Sequence, residues 1–389
     1  MTSTANGVSS GTATKRDASP PLTELETAEI LQSIRNSTTT TTTTTKPPSA
    51  LPADLALSLD LHNGRPTDEY DPASYYWDAS TMAPLNAVSA AAIARLRAYK
   101  PPPFPTWDRL PVSRRAAVLI LLFADRRGDL RVVITMRAAS LRNFSGHAAF
   151  PGGKADSLAE SPYQIARREA WEEIGLPMDD AKIPKPFRIE PLCCLPCSLA
   201  KTEMAVRPCV AFLHADDVPG RPKAMVDESM IPRLDAKEVA AVFSGPFHNF
   251  LKAKDEPREG ETIPPGEWYD GYWNRWHDRP WRVHNFHVPV NNQKVTKPKT
   301  RDGGQAALAD ELDEEEDTIQ RFLVWGLTGR MLVDAARIAY DEEPEFEHND
   351  HYGDEAIIDG LETKGRLPEK KKKEVGLDAI KDEVNDAKM

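Results

Sequence analysis

The sequence has no apolar segment long enough to cross a membrane. Its longest apolar stretch, Ala116 to Phe123, is far shorter than the roughly 20 residues that a membrane-spanning helix requires. The opening segment, MTSTANGVSSGTATKRD, also lacks the apolar region of a secretory signal. We therefore expect a soluble protein without a membrane partner.

Cysteine is scarce, with four residues in 389, and none is spaced as in a secreted disulfide framework. This favours a reducing, intracellular compartment. Cys194 and Cys197 form a CxxC pair, but only Cys209 and Cys193 accompany it, and no second pair completes a structural zinc site. We interpret these thiols as residues packed on strands.

Positive charge is also in deficit, because 49 basic residues face 60 acidic ones and give a formal net charge of −11. Such a chain has no overall field to hold a nucleic-acid backbone, so we expect no nucleic-acid partner. An anionic small-molecule substrate would have to be bound by local arginines and cations.

Composition divides the chain into three parts. Residues 1–84 include the threonine run Thr38 to Thr45 and are predicted to be a disordered low-complexity tail. Residues 85–340 are predicted to fold as one domain with charged insertions near 252–266 and 291–317. Residues 341–389 are predicted to be a disordered charged tail.

Within 85–340, apolar periodicity predicts alternating helices and strands. The expected elements are a helix over Leu85–Leu96, strands over Ala116–Phe123, Arg131–Arg137, Phe187–Leu195 and Val206–Leu213, and a helix over Leu327–Tyr340. Helices flanking a mixed sheet give an α/β/α sandwich.

One further helix is marked by strong signals at both ends. Ser161 is an N-cap, Pro162 occupies the first helical position, and Gln164 completes a capping box. Gly175 suits a left-handed C-cap, so the predicted helix spans about Pro162 to Ile174.

That helix carries a cluster of carboxylates. Glu169, Glu172 and Glu173 follow i, i+3, i+4 spacing and therefore share a face, where they repel one another. A hard divalent cation such as Mg²⁺ would neutralise them and complete its shell with water and phosphate oxygens. A solvated acidic face is the alternative interpretation.

The loop FPGGK and the string from Arg168 to Leu176, REAWEEIGL, resemble the box that defines Nudix hydrolases. The resemblance implies a Nudix-type α/β/α sandwich and a cofactor of Mg²⁺ or Mn²⁺. It implies that Glu169 and Glu173 are metal ligands, that Glu172 is a ligand or orients the catalytic water, and that Arg168 braces the carboxylates. Gly152 and Gly153 would let the backbone approach metal and phosphates. Six residues separate Gly153 from Glu160, where the general pattern has five, which leaves the role of Glu160 open.

The preceding segment, Val133 to Gly153, resembles the signature of the coenzyme A diphosphatase branch of that family. The matching positions are Arg137, Ala138, Arg142, Gly146 and Phe150. Arg137 and Arg142 are candidates to bind substrate phosphates, because guanidinium groups make paired bonds to phosphate oxygens.

The resemblance implies hydrolysis of coenzyme A or acyl-CoA to adenosine 3′,5′-bisphosphate and 4′-phosphopantetheine or its acyl form. Two other functions stay open: a Nudix pyrophosphatase acting on NADH or ADP-ribose, and a non-catalytic binding module that kept the fold.

The final tripeptide, Ala387-Lys388-Met389, resembles relaxed forms of the C-terminal peroxisomal address. It predicts recognition by a peroxisomal import receptor and a peroxisomal location. The cytosol and the mitochondrion are the alternatives.

Overall fold

The computed structural model describes residues 85–137, 148–216, 224–226, 230–231, 239–257, 261–291, 293, 295–296 and 321–369. The helices of this part are α1 (Ala87–Ala98), α2 (Thr106–Arg109), α3 (Pro162–Ile174), α4 (Gly326–Tyr340) and α5 (Glu355–Thr363). The strands are β1 (Arg115–Ala124), β2 (Leu130–Arg137), β3 (Ala148–Ala149), β4 (Gly152–Lys154), β5 (Phe187–Cys194), β6 (Ser198–Leu199), β7 (Ala205–Ala215), β8 (Val239–Pro246), β9 (Tyr269–Trp276), β10 (Arg279–Pro289) and β11 (Arg321–Trp325).

A parallel pair, β1 with β7, lies at the centre of an eight-stranded sheet, and every other pairing in that sheet is antiparallel. β2 pairs with the end of β1 and then diverges to pair with β3, while β4 pairs with the start of β1. Because β2 and β1 are antiparallel, β3, β4 and the start of β1 all lie at one end of the sheet. The prediction of a mixed sheet is confirmed.

Helices cover both faces of this sheet. Ile165, Ala166 and Ala170 of α3 pack in one cluster with Ala117 and Leu119 of β1. Alternate residues of β1 point to the opposite face and are also buried. On that side α1 packs against β5 and α4. The predicted three-layer α/β/α sandwich is therefore the observed fold, and none of its described helices is long and apolar enough to cross a membrane.

A second, three-stranded antiparallel sheet of order β11-β10-β9 was not predicted from the sequence. One of its faces is packed: Phe286 of β10 contacts Phe250 and Trp268 in an aromatic cluster. The preceding charged segment, part of the predicted insertion 252–266, is tied to this sheet because Asp255 forms a two-point ion pair with Arg321.

The prediction that the chain becomes disordered at residue 341 is wrong for residues 341–369. In this stretch α5 buries Ile357, Ile358 and Leu361 in the cluster that contains α3. Asp354 accepts a hydrogen bond from the backbone N–H of Leu199 in β6, with a distance of 2.9 Å. Apolar burial thus outweighs the high charge of the segment. The tail predicted over 1–84, most of the insertion 291–317 and the tripeptide Ala387-Lys388-Met389 lie outside the described residues.

Candidate active site

The glutamate helix α3 has the bounds that its capping residues predicted. The Ser161 hydroxyl accepts from the Gln164 N–H, and the Gln164 side chain accepts from the Ser161 N–H, completing the capping box. Gly175 adopts a left-handed conformation, with φ of 68°, and ends the helix. Local chemistry therefore fixes where the helix begins and ends, and helical spacing places the glutamates on one of its faces.

The glycine loop of β4 lies directly on this helix. The backbone N–H of Gly152 donates to Oε2 of Glu173 at 3.0 Å. A Cβ atom added to Gly153 would stand only 2.5 Å from the carboxylate of Glu169. The two glycines and two glutamates that the sequence singled out are thus neighbours, and Gly153 must lack a side chain for Glu169 to occupy its position.

Arg168 connects the carboxylates. Its Nη1 donates to Glu169 at 3.0 Å and to Glu172 at 3.2 Å, and its Nε donates to Glu160 at 2.9 Å. Its Nη2 donates to the backbone carbonyl of Lys154 in the glycine loop at 2.7 Å. Burial opposes the charged form, but the bond to Glu160 and the charge of Glu169 prevail and raise the pKa of Arg168. The guanidinium therefore stays charged and links helix α3 to the glycine loop.

The carboxylates beside Arg168 differ in their electrostatics. Burial raises the pKa of Glu169, and Arg168 only partly offsets this effect. Glu160 experiences burial too, but its bonds from Arg168 and from the Asp156 N–H lower its pKa. Glu160, whose role the sequence left open, thus acts as an anchor for Arg168, whereas Glu169 is a partly buried carboxylate that a further cation would stabilise.

The donor set suits a divalent cation in its chemistry. Glu169, Glu172 and Glu173 offer carboxylate oxygens, the ligands that hard cations prefer. Across the described residues, no three His, Cys, Asp or Glu side chains are arranged to hold a metal ion as they stand. Arg168 Nη1 bridges Glu169 and Glu172, and Glu173 accepts from the Gly152 N–H. Side-chain rotation would have to release these oxygens toward a cation.

The predicted phosphate ligands are only partly covered by the structure. Arg137 is the last residue of β2, where its backbone lies opposite Val239 after an irregularity in the pairing. Arg142 belongs to the segment 138–147, outside the described residues. The described residues therefore include no contact of either arginine side chain with the glycine loop.

A supporting residue that sequence reasoning missed is Arg167, next to Arg168. It is buried and bonds to the Tyr163 hydroxyl, the Pro177 carbonyl and the Asp180 carboxylate. These bonds fasten the end of α3 to the chain that follows it. Its signal in the sequence was a charged residue on the apolar side of the helix, which helical periodicity could have revealed.

The cysteines lie on or beside strands, as interpreted from the sequence, and all four are free thiols. Cys194 of β5 faces Cys209 of β7, with 3.7 Å between their Sγ atoms.

Comparison with known proteins places these residues in context. A family model described as the NUDIX domain matches residues 113–194. Peroxisomal coenzyme A diphosphatase 1 of Saccharomyces cerevisiae is 35% identical over 271 residues, covering 66% of this chain and 77% of that protein. The mitochondrial Nudix hydrolase 15 of Arabidopsis thaliana is 29% identical and covers 60% of this chain and 61% of its own length. A crystal structure of a C. elegans Ap4A hydrolase binary complex matches 35% of this chain and 83% of that chain, at 18% identity and a TM-score of 0.24.

Proposed function

This chain belongs to the Nudix hydrolase family, and from that premise we propose that it hydrolyses the diphosphate bond of coenzyme A and acyl-CoA. The products are adenosine 3′,5′-bisphosphate and 4′-phosphopantetheine or its acyl form. The observation that carries the proposal is the close fit of the Gly152–Gly153 loop on Glu169 and Glu173. The similarity to a yeast enzyme named for coenzyme A supports the choice of substrate.

Nudix hydrolases in general use divalent metal ions, and here Glu169 and Glu173 would hold the cation, with Glu172 as a further ligand or the residue that orients water. We propose Mg²⁺ or Mn²⁺. A bound cation supplies charge neutralisation on the diphosphate and a more acidic water. Arg168 holds Glu169 and Glu172 together despite their repulsion, and the Gly152 N–H bonds to Glu173. The small glycines let substrate phosphates approach the loop backbone.

Arg137 and Arg142 are proposed to bind phosphate groups of the substrate, because they shortly precede β3 in the sequence and a guanidinium group offers paired N–H donors. If they bind the 3′-phosphate, Arg137→Ala and Arg142→Ala will impair hydrolysis of coenzyme A more than that of dephospho-CoA. Equal losses on both substrates would assign the arginines to the diphosphate or to the fold.

The proposed function is tested by incubating the protein with Mg²⁺ and coenzyme A, acyl-CoA, NADH or ADP-ribose and identifying the products by mass. Coenzyme A species should be cleaved fastest. Glu173→Gln should lose about 10²-fold or more in kcat, because one ligand charge is removed while the helix persists. Glu267→Gln changes an exposed carboxylate in the segment before β9 and serves as the control with unchanged kcat.

Other outcomes of that assay decide between the alternatives. Preferential cleavage of NADH or ADP-ribose would identify a different Nudix pyrophosphatase. If folded wild-type protein cleaves none of these compounds, the result would favour a non-catalytic binding module. Full activity of Glu173→Gln with Mg²⁺ would contradict the assignment of the metal ligands.

We also propose a peroxisomal location through Ala387-Lys388-Met389. The yeast relative is named as peroxisomal, whereas the Arabidopsis relative is named as mitochondrial. A fluorescent protein fused upstream of the full chain should enter peroxisomes and become diffuse when the last three residues are deleted. An unchanged distribution after the deletion would exclude the address.

A further inference from the structure

The second sheet presents an exposed face that the diphosphate chemistry does not use. Register places Asp270 and Trp325 on either side of Asn285, and Leu323 beside His287. Directly opposed residues, and residues two apart on a strand, point to the same side of a sheet. The exposed part of one face, called here the outer face, is therefore formed by Asp270, Tyr272, Asn285, His287, Leu323 and Trp325. Val283, directly opposite Tyr272 on the same side, is buried.

Near β11 the two faces of this sheet differ in burial. On the inner face, His284, Phe286 and Val288 are 0% exposed. On the outer face, Tyr272 is 49% exposed and Leu323 is 42% exposed.

One end of the outer face adjoins the glycine loop. Trp325 leads into α4, where Thr328 Oγ1 donates to the carbonyl of Ala148 in β3 at 3.2 Å. β3 continues through Phe150 and Pro151 into Gly152 and Gly153. Trp325 thus lies beside the strand that delivers the glycine loop to the glutamates.

The other end of the second sheet is tied to the same end of the main sheet. Trp281 Nε1 donates to Asp354, and Asp354 accepts from Leu199 in β6. β6 pairs with the start of β7, which pairs with the start of β1, where β4 also pairs. The second sheet therefore spans the end of the main sheet that holds the glycine loop.

The polar groups of the outer face are held in a fixed orientation. Asn285 Nδ2 donates to Asp270 Oδ1 at 2.6 Å, and His287 Nε2 lies 3.1 Å from Asp270 Oδ2. Because the amide nitrogen is bound to Asp270, the amide oxygen of Asn285 points elsewhere and can accept a hydrogen bond. The face thus combines aromatic rings with one oriented acceptor.

We propose that the outer face binds the purine base of the nucleotide half of the substrate. Tyr272 and Trp325 supply rings on which a base stacks, and the Asn285 amide oxygen accepts from the exocyclic amine of adenine. Hypoxanthine, with a carbonyl at that position, would instead place two acceptors in opposition. The proposal rests on the proposed function only in that the substrate carries adenine.

Binding of AMP to the full chain, measured calorimetrically, tests the outer face without any turnover. Tyr272→Ala and Asn285→Ala should each weaken AMP binding about 10-fold, the loss expected for one base contact, and Tyr272→Phe should restore it. Trp273→Ala is the matched control, since Trp273 is 43% exposed on the same strand but points to the opposite side, where it bonds to Glu347. Its AMP affinity should stay within about 2-fold of wild type.

The chemical specificity of the face is tested with two further probes. Wild type should prefer AMP to IMP about 10-fold, and Asn285→Ala should abolish that preference. Ribose 5-phosphate, which has no base, should bind all variants alike. Unchanged AMP affinity in both outer-face variants, or equal losses for AMP and ribose 5-phosphate, would overturn the proposal.

The two proposals can fail separately. If wild-type protein binds AMP with these properties but does not cleave coenzyme A, the proposed function is refuted. The assignment of the outer face to base binding then stands. If the Tyr272→Ala and Asn285→Ala variants cleave coenzyme A with the kcat/KM of wild type, base binding by the outer face is refuted and the proposed function stands.

Discussion

At Gly153 the steric requirement involves a proposed metal ligand directly. A methyl group at this position would meet the Glu169 carboxylate at 2.5 Å, so Gly153→Ala must move the glutamate, the loop or both. Displacing a reacting group by about 1 Å can cost 10²-fold in rate. We expect Gly153→Ala to lower kcat by about that factor and to lower the free energy of unfolding by about 1–3 kcal/mol.

Gly360 provides the matched control for this prediction. It lies inside α5, and an added Cβ would meet nothing within 4 Å. Gly360→Ala should therefore raise the free energy of unfolding by about 0.5–1 kcal/mol, because alanine favours the helix, and leave kcat unchanged. Wild-type activity in Gly153→Ala would mean that Glu169 does not need its present position.

Residue-level features that depend on neighbours in the chain could be predicted from the sequence. The cap formed by Ser161 and Gln164 fixed the start of α3, and helical spacing alone put Glu169 and Glu173 on a common face. The link from Arg168 to Glu160 could not be predicted in the same way. It depends on the path of the loop between β4 and α3, which local propensity does not determine.

At the scale of elements, His248 joins the end of α4 to the segment after β8. Its two ring nitrogens lie 3.0 Å from Glu256 and 3.0 Å from Glu342. Burial alone would lower the pKa of His248, but the hydrogen bonds to these carboxylates raise it to about 9, from an ordinary value of 6.5. The folded state therefore binds the proton more tightly than the unfolded state does.

The sign of this shift predicts how the contribution of His248 depends on pH. Its stabilisation should be complete below about pH 6.5 and should disappear as the pH rises through 9. We expect His248→Gln to lower the free energy of unfolding by roughly 2–3 kcal/mol at pH 6 and by little at pH 10. Urea unfolding of both proteins at these two pH values measures the difference. If His248→Gln lowers the free energy of unfolding equally at both pH values, lost packing and not charge is responsible.

Two of the elements that escaped prediction show the physical reasons. β9, YDGYWNRW, carries aromatic residues toward both faces and so lacks the alternation that marks a half-buried strand. α5 places Ile357, Ile358 and Leu361 within a highly charged stretch whose composition suggested a tail. The strands of the central sheet were predicted well, because burial on both faces makes them continuously apolar.

For the whole molecule, the observed burial of α5 moves the expected end of the catalytic unit from residue 340 to residue 369. We predict that a fragment of residues 85–369 unfolds cooperatively and retains kcat close to that of the full chain. A fragment of residues 85–340 should fail to fold. It loses three buried apolar side chains, each worth about 2–5 kcal/mol, against a typical total stability of about 5–15 kcal/mol.

Thermal unfolding and the coenzyme A assay on both fragments check this prediction. The variant Leu361→Ala in the longer fragment should show an intermediate stability, since Leu361 is only 5% exposed. An active, cooperatively folded fragment of 85–340 would show that α5 is dispensable and that the boundary predicted from the sequence was the functional one.

The parallel pairing of β1 with β7 also affects how the protein is made. β1 leaves the ribosome roughly 90 residues before its central partner begins, and at about 5–20 residues per second this delay lasts on the order of 5–20 s. During that interval β2 and β4 can pair with one edge of the apolar stretch Ala116 to Phe123, but the edge that later pairs with β7 has no partner. Each nascent chain therefore carries an exposed, aggregation-prone strand for several seconds, and the yield of folded enzyme should depend on chaperones that bind near the ribosome exit.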